Sequence, residues 1–163
     1  MIGELVRTLR EGGHTLVVAN GAQIRTFDRR GVADLHALLT DGGEFLRGAT
    51  VADKVVGKAA AALMLLGGVS EMHTEVISRP ALDLLAGSGM RVGYEVEVPH
   101  VINRDRTGWC PLEIRCRDCR TARECLERIE EFLQQQQIGT TNESSKYPCK
   151  HTLQNPSRSG STR

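Results

Sequence analysis

At 163 residues, with 40% apolar and 25% charged residues, the chain has room for one globular domain and a tail. Its net charge of +1 excludes a strong electrostatic pull toward nucleic acid or an anionic membrane surface. Its longest apolar run, Ala59 to Leu66, is far short of the about 20 residues a bilayer span needs.

Residues 2–11 predict a helix, with Ile2, Leu5, Val6 and Leu9 on one face. Gly12-Gly13 ends it. Thr15 to Ala19, an Asn20-Gly21 turn signal and Gln23 to Phe27 predict a hairpin. A second helix is expected at 31–41, with Val32, Leu35, Leu38 and Leu39 inward. The stretch TVADKVVGKAAAALMLLGG at 50–68 predicts a buried central helix over about 51–66, because Ala52, Val55, Val56, Ala59, Leu63 and Leu66 follow the helical period. Val69 to Ile77 reads as a strand. Ser78 then caps a helix that opens near Pro80. Arg91 to Val98 alternates as a strand. Pro111 opens a short helix at about 111–115. Thr121 to Gln137 is the last amphipathic helix, its inner stripe Cys125, Leu126, Ile129, Phe132 and Leu133.

Strands alternating with helices after an opening hairpin imply a mixed sheet in a three-layer α/β/α domain, expected over residues 1–137. Residues 138–163 are rich in Ser, Thr, Asn and Gln, lack a period, and carry four basic residues against Glu143; they predict a disordered polar tail. The five cysteines follow no secretory leader, since residues 1–13 mix charges with apolar residues. Reduced thiols and a cytoplasmic location are expected.

Two expected helix starts hold the chemistry. In the first, Thr50 and Asp53 have the spacing of a capping box, and Lys54 and Lys58 are the other charges on an otherwise apolar helix. In the second, VINRDRTGWCPLE at 101–113, Cys110 takes the N-cap before Pro111, where a thiol becomes a better nucleophile. Glu113 shares that first turn, and Asn103, Arg104, Thr107 and Gly108 supply donors upstream. Backbone amides at helix starts with arginine and lysine beside them suit an anion.

Cys116-Arg-Asp-Cys119 is a CxxC. Zinc usually takes two such knuckles; only one exists, and Cys125 fits an inner helical face, so packing cysteines are expected and no metal. Cys149 lies in the tail. The five histidines stand singly, and His73, two residues before Glu75, is a weak signal. No glycine-rich dinucleotide or phosphate loop is present.

ADKVVGKAAAALM, GGVSEMHTEVIS and VPHVINRDRTGWCPLE, in that order, resemble the domain-of-unknown-function family 1893, a bacterial family, over roughly residues 5–133. The resemblance implies a cytidine-deaminase-like fold, in which two helices start side by side at the catalytic centre. True deaminases carry a His/Cys-x-Glu motif on the first and Pro-Cys-x-x-Cys on the second, and bind zinc between them. Here the corresponding stretches are Ala52-Asp53-Lys54 and Cys110-Pro111-Leu112-Glu113, which cannot assemble three zinc ligands. The reading is therefore a zinc-free domain without a cofactor that binds a nucleotide-like or other anionic small molecule between two helix starts, with no nucleic-acid or membrane partner. Deaminase-like domains often self-associate. One alternative is a metal-independent enzyme with Cys110 or Asp53 as nucleophile and Glu113 or Lys54 in proton transfer. Another is a structural protein with a relic pocket.

Overall fold

The computed structural model describes residues 1–29, 31–103 and 105–146, with side chains as far as Ile138. The chain divides into two units, Met1–Ile129 and Glu130–Arg163. In the first, α1 (Ile2–Glu11) leads into the hairpin β1 (Leu16–Asn20) and β2 (Gln23–Phe27). The turn is Gly21-Ala22, one residue later than expected, with Gly21 in the left-handed region at φ +60°. Then follow α2 (Ala33–Thr40), β3 (Thr50–Val56), α3 (Lys58–Gly67), β4 (Glu71–Ser78), α4 (Arg79–Leu85), β5 (Arg91–Val98), α5 (Pro111–Cys116) and α6 (Ala122–Lys146).

The strands form one mixed sheet in the order β2-β1-β3-β4-β5. β1 is antiparallel to both its neighbours, and β3, β4 and β5 are parallel. Crossovers through α3 and α4 connect the parallel strands, as parallel pairing demands, and the result is a three-layer α/β fold. α1 packs Leu5 and Leu9 against Val17, Ala19 and Ala52 of the sheet. α3 is the central helix of the other layer, with Lys58 to Met64 all buried. Four consecutive alanines give it both helix propensity and a slim waist, so α2, α4 and α5 can all pack against it. Gly68 ends it in the left-handed region at φ +79°, its N–H donating to Leu65 O and the Val69 N–H to Met64 O.

One element differs from the sequence expectation. Residues 51–56 are the central strand and not the first turns of a helix; the helix begins only at Lys58. A strand covered on both faces reads as a continuous apolar run, and its valines happen to fall at helical spacing. α6 runs to Lys146, beyond the expected end at Gln137. The expected tail thus begins within this helix, and residues 147–163 lie outside the described ones. The second unit, in its described part, is the later portion of this helix.

Candidate functional site

The strand assignment relocates Asp53. It lies in β3, paired in register with Leu16 on one side and Thr74 on the other. Gly57 is four residues further on, about 13 Å along an extended chain, so no capping box forms with Thr50. The Asp53 carboxylate accepts a hydrogen bond from the Val55 N–H at 3.2 Å. Burial pushes its pKa up to about 7, against the smaller opposing effect of the Val55 and Lys54 amides. Lys54 is half-buried in the same strand and gives its backbone N–H to Thr15 O at 3.2 Å.

The two helix starts are nevertheless neighbours, and Glu113 joins them. It sits in the first turn of α5 and is buried. One carboxylate oxygen accepts from the Lys58 N–H at 2.8 Å, the other from the Val101 N–H at 2.9 Å. The chain thus supplies its own anion to the positive end of α3. Gly57, at the N-cap of α3, allows this closeness: a Cβ there would lie 3.0 Å from Glu113 Oε1 and 3.3 Å from Val101 Cγ2, and these side chains would have to give way. The next two amides of the turn, those of Ala59 and Ala60, are buried and find no acceptor among the described residues. Lys58, expected to face a ligand, is buried, and its Nζ donates to Arg117 O (3.2 Å) and Cys119 O (2.6 Å) beyond the end of α5.

Cys110 takes the N-cap of α5 as expected, half-buried, with no capping bond from its side chain. Its N–H donates to Val101 O at 2.8 Å, which closes a small hairpin over 101–110. Within it, Ile102 bridges to Trp109, and the Trp109 ring stacks on His100 at 3.9 Å. Asn103 and Thr107 satisfy each other through Asn103 Nδ2 to Thr107 Oγ1 and Thr107 N–H to Asn103 Oδ1, both 3.0 Å. The Gly108 carbonyl accepts from the Asn103 N–H at 2.9 Å. These three expected ligand contacts are engaged within the hairpin, and Arg104 lies outside the described residues. His73 and Glu75 do not act as a pair either: Glu75 accepts from Arg10 at 3.1 Å, and His73 packs beside Gly93.

Sequence reasoning missed a cluster of thiols. Cys116, Cys119 and Cys125 bring their sulfurs within 4.8 Å of one another. The CxxC was visible; that the turn after α5 returns Cys125 to it was not. Two surface hollows lie elsewhere. One of about 450 Å³ is lined by Phe27, Arg29, Asp34, Leu38 and Asp41 among others. The other, of about 210 Å³, is lined by Ile2, Met72, His73, Arg91 and Gly93 among others. Neither includes an expected site residue. No helix among the described residues is long and apolar enough to cross a membrane.

The chain is similar to a known family and to solved structures. The domain of unknown function DUF1893 matches residues 4–133. The crystal structure of a DUF1893 family protein from Thermotoga maritima is similar at 27% sequence identity, covering 78% of this chain and 89% of that one with a TM-score of 0.71. No curated protein matches the chain.

Proposed function

The chain belongs to the DUF1893 family, and we propose that this member is a cytidine-deaminase-like domain, with no zinc between its helix starts, that binds a nucleotide-like small molecule beside the start of α3. The observation that carries this reading is the pair of first-turn amides of Ala59 and Ala60, in buried residues, that find no acceptor among the described residues. A buried N–H without a partner costs about 1–3 kcal/mol, and a ligand oxygen or ring nitrogen relieves that cost. The site stands at the carboxyl end of a parallel strand, where open α/β sheets receive ligands.

Glu113 sets the ligand's polarity. Its carboxylate already compensates the positive end of α3, so a phosphate placed beside it meets like charge. A neutral acceptor flanked by an N–H donor, the edge that a nucleobase presents, satisfies both the open amides and the free lone pairs of Glu113. An anionic group of the same molecule then lies away from α3.

A binding role is favoured over nucleophilic catalysis by the same contacts. Glu113 is committed to two backbone amides, and Asp53 is bonded to the Val55 N–H within its own strand. Glu113, one of the two proton-transfer partners of the enzyme reading, makes no hydrogen bond to Cys110 among the described residues.

The test is a thermal-shift series with nucleobases, nucleosides, nucleotides and simple carboxylates. A ligand at a hundredfold its Kd contributes about 2.7 kcal/mol, a rise of roughly 5–10 °C for a domain of this size. Ala59→Pro deletes one of the two donors at a first-turn position that tolerates proline, and the shift should shrink. No rise with any of these compounds refutes the proposal.

A further inference from the structure

The geometry points to a three-thiolate site for a soft divalent cation of the zinc class, formed by Cys116, Cys119 and Cys125 and separate from the helix starts described above. Zinc held by sulfur at about 2.3 Å in a tetrahedron keeps its sulfurs about 3.8 Å apart. The three here lie within 4.8 Å of one another, so closure on a metal needs a contraction of about one ångström or less, within the reach of side-chain rotation.

The sulfurs are held by three fixed pieces of backbone. Cys116 is the last residue of α5. Cys119 closes a one-turn knuckle, its N–H donating to Cys116 O at 3.1 Å. Cys125 lies in the opening turn of α6, and that turn is pinned by a true capping box: Glu124 N–H donates to Thr121 Oγ1 at 3.2 Å, and the Glu124 carboxylate accepts from the Arg120 N–H at 2.6 Å and the Thr121 N–H at 3.4 Å. Cys116 and Cys125 are buried and Cys119 is half-buried; the three supply three of the four positions of a tetrahedral site.

A second observation is electrostatic. Lys58 is the only buried cationic residue among the described ones, and its amino group bonds the Cys119 carbonyl at 2.6 Å. Three thiolates around a divalent ion carry one net negative charge, and this ammonium stands beside it. Binding of the cation displaces the thiol protons to solvent.

The experiment uses the reduced full-length chain, titrated with zinc and, separately, with cobalt. One zinc per chain is expected, with a near-ultraviolet sulfur-to-cobalt charge-transfer band and proton release on binding. Cys119→Ser, at the half-buried position, should weaken uptake on the order of a hundredfold or more, while Cys110→Ser and Cys149→Ser should leave it intact. Should Cys116→Ser or Cys125→Ser fail to fold, the cobalt band of the unaltered chain and Cys119→Ser decide. Absence of stoichiometric uptake by reduced protein overturns the proposal. So does uptake indifferent to Cys119→Ser, or a disulfide within the cluster as its only reaction.

Discussion

Replacing Glu113 tests the joint between the two helix starts. In Glu113→Ala the buried amide of Lys58 and the half-buried amide of Val101 both lose their acceptor, and neither has another within the described structure. Each such loss costs about 1–3 kcal/mol, together about 2–6 kcal/mol, against a total stability of about 5–15 kcal/mol for a domain. Gly57 supplies the internal control. In Gly57→Ala the new Cβ meets Glu113 Oε1 at 3.0 Å, Glu113 Cδ at 3.2 Å and Val101 Cγ2 at 3.3 Å, an overpacking worth about 1–3 kcal/mol. The backbone angle at 57, φ −96°, suits alanine, so conformational terms are common to both backgrounds and cancel. With Glu113 already cut to alanine, two of the three close atoms are gone, and the glycine substitution should cost under about 1 kcal/mol. The assay is urea unfolding of the four proteins of the cycle, read by far-ultraviolet circular dichroism with m held as a check on two-state behaviour. A coupling of about 1–2 kcal/mol is expected. If Glu113→Ala costs less than about 1 kcal/mol, or the Gly57→Ala cost is equal in both backgrounds, Glu113 does not cap α3 in solution.

Asp53 makes stability fall as pH rises. Its carboxyl titrates at about 7 when folded and near 3.8 when free, so between those values the folded state holds the extra proton; the loss begins near pH 4, is complete above 7, and amounts to at most about 4 kcal/mol. Asp53→Asn should flatten this slope and be the more stable form at pH 8, as measured by urea midpoints across the range. Ser78→Ala removes the cap of α4, where Ser78 Oγ accepts from the Ala81 N–H at 3.3 Å; about 1 kcal/mol should be lost in the same assay, and a change within error would show the cap to be idle. Lys58→Met strips the Arg117 and Cys119 carbonyls of their donor, for about 2–3 kcal/mol. Because the ammonium helps to lower Cys125, the variant's thiolate ultraviolet absorbance should also appear at higher pH; an unchanged titration would place Lys58 away from the sulfurs.

The sequence was legible wherever local rules decide structure. Gly12-Gly13, Gly67-Gly68, Ser78 with Pro80, and Pro111 each mark a terminus through backbone chemistry within a turn of chain, and the structure has a helix boundary at each. Residues 51–56 were not legible by period alone. Ala52 and Val56 fit both the alternate and the helical spacing, and Val55, which fits only the helical one with them, is exposed in the strand. The discriminating signal was composition: three valines before Gly57 favour extended backbone, and four alanines after it favour helix. A glycine between such blocks is a boundary, and here it is the N-cap. The thiol cluster was half legible, because a CxxC is local but the return of Cys125 depends on a turn whose capping box, Thr121 to Glu124, follows the same spacing rule that misled at Thr50 to Asp53.

The cap of α3 shows why spacing could not find it. Glu113 is fifty-five residues from Lys58, so no window of sequence contains both. Its place is still physically determined. As the third residue of α5 it is favoured by the positive end of its own helix, and its side chain reaches the first amide of the other helix. A single carboxylate therefore serves two helix starts, and the region that would suit an external anion already holds an internal one. Two conditions follow for anything that binds there: it must tolerate a fixed negative charge, and it must offer an acceptor to the amides of Ala59 and Ala60. A phosphate meets only the second condition; the edge of a neutral heterocycle meets both.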